Sequence, residues 1–386
     1  MRMRVMSRIF VLAGLLLTVI LSCGTGALGQ TPAGAATAGK GPMRVVIVGL
    51  VHGHADGFLS SAVKRADIQI VGVQESDRAL FDQYAKKYGL NAQLYHSEVS
   101  EMLTTTNPQA VLIYTSTYGH RRVVEDCAKY STGSPKPLTV MMEKPLATTS
   151  EDAHAIAKAA DASKMNVLVN YFTTWEPSRH AAYEMAKSGD IGSVFKIVAH
   201  DGHGGPKEIG VGPEFLGWLT DPKLNGGGAL YDFGCYGTDF ITWLMGGEKP
   251  LTVTAVTQTV KPDVYPKVDD DATIILTYPK AMGIVQGSWN WPFGRSDVEI
   301  YGKTGTVKIV NRDTIEVHKA GEKAAQDEKA KSLVPPLDDE LTYLRAVVNG
   351  ELKPEGPGTL AINLVVADVL DAARESARTG KTVKMK

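Results

Sequence analysis

Between Arg44 and Phe172 short β-branched runs alternate with amphipathic stretches, and this alternation limits the possible folds more than any other feature of the chain. Arg44–Leu50, Ile68–Glu75, Ala110–Ser116, Leu138–Glu143 and Asn166–Phe172 read as strands. The segments between them read as helices, over 54–66, Ser76–Gly89, Gly119–Tyr130 and Ser150–Ser163, the last opened by a Ser150 cap. Near-continuous apolar strands joined by helical crossovers imply a parallel, doubly wound sheet covered on both faces. Such a sheet binds ligands beyond the carboxyl ends of its strands.

The candidate residues lie at those ends. After the first strand comes Gly49-Leu50-Val51-His52-Gly53-His54, where a dinucleotide fingerprint requires G-x-G-x-x-G/A, and the first glycine is in place. Glu75 closes the second strand, where an acid accepts from the adenosine ribose hydroxyls and disfavours a 2'-phosphate, so NAD is expected over NADP. Thr115, at the end of the third predicted strand, and His120, after it, join Gly49, Val51, His52, Gly53, His54, Glu75, Glu143 and Lys144 as cofactor-binding candidates. Glu143-Lys144-Pro145 closes the fourth predicted strand, placing a lysine where nicotinamide and substrate would meet; a surface loop lysine is the competing reading. His52 and His54 read as solvated or core-capping histidines, because no third metal ligand is evident, and no metal is expected.

Past Phe172 the pattern changes to strands with little helix between them, as in a largely antiparallel sheet. Within this part, Gly226-Gly227-Gly228 leads into a predicted helix from Ala229 that sets Asp232, Tyr236 and Asp239 on one face, beside an apolar stripe of Phe233, Gly237, Phe240 and Leu244. The glycines let backbone approach a ligand or another strand. His203, Trp175, Trp289, Trp291 and Arg295 are candidate substrate walls, since indoles suit the apolar faces of a sugar ring, although paired tryptophans equally serve packing. Asp269–Asp271 reads as a solvated strand entrance, and 319–334 as a mobile surface excursion. The last helix stops at Gly380.

Lys plus Arg number 41 against 42 Asp plus Glu, so no basic footprint for nucleic acid exists and partners should be small molecules or further copies. Arg2, Arg4 and Arg8 precede an apolar Ile9–Leu21 run, shorter than the roughly 20 residues of a membrane span, so 1–29 reads as an export signal. Cleavage after Gly29 and lipidation at Cys23 are both open, giving a periplasmic protein or a membrane-anchored lipoprotein. Cys127 and Cys235 read as small buried residues. The expected division is 30–42 linker, 43–172 dinucleotide-binding domain, 173–355 substrate and oligomerisation domain, and 356–386 C-terminal helix and tail.

Glu143-Lys144-Pro145, the Gly226–Asp239 stretch and the closing Ala373–Val383 segment together resemble the Gfo/Idh/MocA family of NAD(P)-dependent oxidoreductases. The resemblance implies an α/β fold: a Rossmann doubly wound parallel sheet followed by an α+β domain with a large, mainly antiparallel open sheet that often mediates dimers or tetramers. It further implies that Lys144 contacts nicotinamide ribose and substrate hydroxyl, that Asp232 binds substrate, and that Tyr236 stands where most members carry histidine. The expected reaction is oxidation of a secondary alcohol, or reduction of the carbonyl, on a sugar, glycoside or polyol. Tyr236 would be the acid/base, with the Lys144 ammonium favouring its phenolate. Two alternatives stand beside it: a glycosidase-like enzyme working by transient oxidation and elimination on tightly bound NAD, and a non-catalytic sugar-binding lipoprotein.

Overall fold

The structure is a computed structural model that describes residues 41–134 and 136–385; the leader with Cys23, and all but the last residues of the 30–42 linker, lie outside the described residues. From Pro42 onward the chain is one compact unit holding two sheets. The first contains β1 (Met43–Val48), β2 (Ile68–Gln74), β3 (Tyr95–His96), β4 (Ala110–Ile113), β5 (Thr139–Glu143) and β6 (Asn166–Asn170), in the order β3-β2-β1-β4-β5-β6. Every pairing in it is parallel. Val45, Ile47 and Leu112 face one apolar cluster while Val46, Val48 and Val111 face the other, so both faces are covered and the strands need no polar alternation. The order reverses between β1 and β4, which makes the ends of those strands the ligand crevice.

The second sheet contains β7 (Val194–Gly202), β8 (Thr252–Gln258), β9 (Asp271–Thr277), β10 (Met282–Ser288), β11 (Arg295–Gly302), β12 (Gly305–Asn311), β13 (Thr314–Lys319), β14 (Gln326–Lys329) and β15 (Val383–Lys384). Their order is β14-β13-β12-β11-β7-β10-β9-β8-β15, and only β7 and β10 pair in parallel. Alternate residues such as Ala272, Ile274 and Leu276 are buried beneath the helices Gly234–Leu244 and Leu360–Thr379, and the opposite face is half-buried.

Several expectations need correction. Glu143-Lys144-Pro145 follows the fifth strand, because the two-residue β3 is too short to show a period. Thr149 caps the helix Ser150–Ser163, accepting from the Asp152 N–H, while Ser150 instead bonds the last long helix through Asp368. Part of the 319–334 excursion is β14, an edge strand paired with β13. The helix Glu340–Val348, assigned by sequence to the second domain, packs Leu341, Leu344 and Val347 on the first sheet. The expected C-terminal helix is present as Leu360–Thr379, capped by Gly380, and packs against elements of both sheets.

Asp269–Asp271 is not solvated either: Asp269 accepts from the Gly228 and Leu230 N–H groups, and fully buried Asp270 from Val260 and Lys261. A Cβ on Gly228 would lie 1.8 Å from the Asp269 carbonyl oxygen, and Cβ atoms on Gly226 and Gly227 would meet the Tyr231 ring at 2.6 and 2.9 Å, so the glycines approach this chain's own backbone and a buried ring.

Candidate active site

Two helices, rather than one, carry the acidic residue and the phenol. Ala229–Asp232 ends at Phe233, and Gly234–Leu244 begins anew, so the chain turns between Asp232 and Tyr236. Gly237 allows the second helix to sit on the sheet, where a Cβ would come within 2.8 Å of Ala199 and Val285. Across from this turn, at the end of β5, Lys144 is buried. Its ammonium donates to Asp232 Oδ1 at 2.5 Å and to the Asp232 carbonyl at 3.1 Å. Trp289 donates from Nε1 to the other carboxylate oxygen, Oδ2, at 2.9 Å.

Burial alone would neutralise both members of this pair, yet the partners prevail. Lys144 lies above its ordinary range because Asp232 outweighs its desolvation, and Asp232 lies below its own because Lys144 and Trp289 outweigh burial. An ammonium has three N–H groups, and Asp232 takes two of them. One remains for a ligand.

Tyr236 is buried among Tyr171, Phe172 and Phe233. The Lys144 Nζ stands 5.0 Å from the centre of its ring. Burial, followed by neighbouring acidic groups, pushes the phenol well above its ordinary value. The expected phenolate is therefore corrected: at neutral pH Tyr236 holds its proton.

These residues open on a cleft of about 900 Å³. Lys144, Asp232, Tyr236, His203 and Arg295 line it, together with Val51, Gly53 and His54 of the β1 loop. His203 Nδ1 accepts from the Gly205 N–H at 2.9 Å, leaving the neutral ring's proton on Nε2. Arg295 is paired with Asp297 and stacks on Trp291, its guanidinium carbon 4.9 Å from the ring centre. Phe172 and the Ile209–Phe215 region of the second domain also line the cleft, and sequence reasoning missed them. A Gly-Val-Gly-Pro run before Phe215 marks a turn, but nothing local tells which loop it will cover.

Three predicted walls do not line the cleft: Trp291 packs instead against Arg295 and the His200 ring, 6.1 Å between centroids. Trp289 is fully buried and orients Asp232; Trp175 donates to Asn170 Oδ1 at 3.0 Å and packs on Tyr343. Asp239 is buried behind Tyr236 with its Oδ1 unpartnered, and burial raises it well above the ordinary range.

On the dinucleotide side, Gly49 adopts φ +80°, and a Cβ there would lie 2.7 Å from Thr115 Cγ2, so the β1 loop turns tightly against the β4 loop. Glu75 is buried and accepts from the Leu50 N–H at 2.7 Å and the Asp77 N–H at 3.0 Å, which ties the loop to the end of β2. His120 Nδ1 bonds the Leu146 carbonyl, and burial lowers the ring to about 4; its Nε2, like that of buried His52, has no partner. These orphaned nitrogens beside a tightly turned loop at the switch point suit a polar cofactor.

The histidine pair does find a third neighbour. His52, His54 and Glu143 each bring a ligand-type atom within 4.8 Å of the others. Glu143 Oε2 bonds His54 Nδ1 at 2.9 Å, and His52 Nδ1 accepts from the His54 N–H at 3.1 Å. That lone pair is engaged, so the neutral His52 ring carries its proton on Nε2 and the cluster reads as a hydrogen-bonded latch.

Comparison with known proteins agrees with this architecture. Residues 43–171 match "Oxidoreductase family, NAD-binding Rossmann fold", and residues 180–308 match "GFO/IDH/MocA C-terminal domain". The chain is 21% identical over 347 residues to trans-1,2-dihydrobenzene-1,2-diol dehydrogenase of Macaca fascicularis, covering 86% of this chain and 95% of that protein. Aldose-aldose oxidoreductase from Caulobacter crescentus, solved with glycerol, has 22% identity and a TM-score of 0.73 over 89% of this chain and 100% of its own. An inositol dehydrogenase homolog from Azotobacter vinelandii, solved with NAD+, has 19% identity and a TM-score of 0.75 over 89% and 98%.

Proposed function

Because the chain belongs to the GFO/IDH/MocA family of NAD(P)-dependent oxidoreductases acting on CH–OH groups, we propose that it interconverts a secondary alcohol and its carbonyl on a cyclic polyol, sugar or glycoside held between its two sheets. The observation that carries this reading is the buried Lys144 ammonium, held by Asp232 at 2.5 Å against the Tyr236 ring in a cleft that also reaches the β1 loop. The nicotinamide supplies a hydride acceptor or donor when bound. The protein handles the proton.

The free N–H of Lys144 points the reacting oxygen and stabilises negative charge on it as the C–H bond breaks or forms. Asp232 keeps that ammonium charged and in place, and Trp289 keeps Asp232 in place. Tyr236 is the acid/base. With its proton held at neutral pH, it is poised to donate to the oxygen during carbonyl reduction, and alcohol oxidation should accelerate as pH rises. His203 contributes an Nε2–H for a second substrate hydroxyl. Gly49, Val51, Gly53, Glu75, Thr115 and His120 serve NAD, with Glu75 disfavouring NADP. The dihydrodiol dehydrogenase and inositol dehydrogenase relatives support a cyclic vicinal diol as the substrate class.

We also take the mature protein to be exported, with Cys23 lipidated or the leader cleaved after Gly29, and to assemble as a homodimer or homotetramer; its intact mass in native mass spectrometry tests both. The function is tested by incubating the full chain with NAD+ and a panel of inositols, trans-cyclohexanediols and glycosides. Stoichiometric nicotinamide reduction with one class supports the proposal. No reduction with any diol, and no oxidation of NADH by the matching ketones, would refute it.

A further inference from the structure

The helix Pro213–Leu219 of the second domain, with the residues up to Asn225, lies across the crevice that the first sheet forms between β1 and β4. It touches both loops that flank the crevice. On the β1 loop, Trp218 Nε1 donates to the Val51 carbonyl at 3.2 Å. The Phe215 ring packs where a Cβ on Gly53 would be only 3.3 Å away. The buried His52 ring is enclosed by both, with centroids 4.8 Å from Phe215 and 5.4 Å from Trp218. On the β4 loop, Thr117 Oγ1 donates to Asn225 Oδ1 at 3.4 Å, and the exposed Lys223 ammonium stands 5.4 Å from the Tyr118 ring centre.

The segment is anchored from behind. Trp218 and Leu219 join Tyr265, Val268 and Trp289 in a separate apolar cluster of the second domain that also takes in Val51. A dinucleotide seated at the switch point passes between the β1 and β4 loops. With both loops bridged by one anchored segment, a dinucleotide seated there lies beside contacts that hold the loops together.

We propose that Phe215 and Trp218 are cofactor-retaining residues: they fasten the second domain over the dinucleotide site and slow the exchange of NAD and NADH. This rests on the NAD-dependent reading above. The contact energies are modest individually, a neutral hydrogen bond and an aromatic edge contact, but they must break together before release.

The test is the rate at which the full chain, preloaded with NADH, loses nicotinamide fluorescence when chased with excess NAD+. Association is measured in parallel by stopped-flow mixing. Trp218→Phe, which keeps the ring and removes the N–H, should raise the release rate about fivefold. Phe215→Ala should raise it about tenfold or more, and exposed Lys223→Ala about twofold. Association should accelerate in the same variants, because they open the way in as well as out; mere damage to the site would speed release and slow association. Melting curves identify variants that fail to fold, and Lys223→Ala, at the surface, keeps the series informative. Release unchanged from wild type in every folded variant, or slower association, overturns the proposal while leaving NAD dependence standing. A wild-type chain that binds no NADH overturns both.

Discussion

Replacing Asp232 with asparagine keeps the shape of the side chain and removes the charge that holds Lys144. The ammonium would then lie 5% exposed, without its 2.5 Å ion-pair partner. Leaving one member of a buried pair costs about 3–5 kcal/mol. Lys144 would also lose the group that raises it, so its proton would be released at lower pH. In the wild type, the contribution of a raised lysine is fully present below its unfolded value of about 10.4 and fades as pH rises through the higher folded value. The depressed Asp232 contributes above about 3.9 and fades as pH falls through its lower folded value. Wild-type stability should therefore be flat across neutral pH, and Asp232→Asn should lose stability at every pH in that window. Urea unfolding of wild type, Asp232→Asn, Lys144→Met and the double variant measures the pair directly. We expect a coupling energy above about 2 kcal/mol, the double variant being more stable than Asp232→Asn alone. Additivity within about 0.5 kcal/mol would refute the reasoning.

Tyr236→Phe removes only the phenol oxygen; turnover should fall about 10²–10⁴-fold with the melting temperature little changed, as steady-state kinetics and calorimetry would show. Gly49→Ala must accommodate both φ +80° and a Cβ 2.7 Å from Thr115, so thermal unfolding should report a loss of about 2 kcal/mol or more, with weakened NAD affinity by titration. Asp201 is buried with Oδ2 unpartnered, and burial raises it to about 6. For a carboxyl raised in the fold, the penalty is absent below the unfolded value of about 3.9 and complete above the folded one, so Asp201→Asn should stabilise by about 2 kcal/mol at pH 8 and by nothing at pH 3.5 in urea unfolding.

What could be read in the sequence was whatever has a local period or a local motif. The β-branched runs of β1, β2, β4, β5 and β6 announce themselves because strands buried on both faces must be apolar throughout. Tyr95–His96 does not, since two residues carry no period. Lys144 and Asp232 were legible as separate signals, one at a strand end and one after a glycine run. Their contact spans 88 positions, and the third partner, Trp289, lies 57 residues beyond Asp232, so its passage from substrate wall to positioning residue needed the fold. Glu143 as the neighbour of His54 was hidden for the same reason, at a separation of 89. Tyr236 shows a different limit: its residue type suggested a proton-transfer role, while its protonation state depends on burial, which spacing does not report. Thr149 and Ser150 are both good caps by type, and only the backbone conformation at Thr149, φ −143° and ψ 155°, separates them.

The most direct test of the central claim follows the hydride itself. The full chain is given NAD+ and a cyclic diol bearing deuterium on its carbinol carbons, and the nicotinamide is recovered for mass spectrometry. Wild type should place deuterium on the reduced ring, and Tyr236→Phe should slow transfer at least about 10²-fold with NAD affinity unchanged. Unlabelled reduced nicotinamide, or Tyr236→Phe transferring label at the wild-type rate, would contradict that claim.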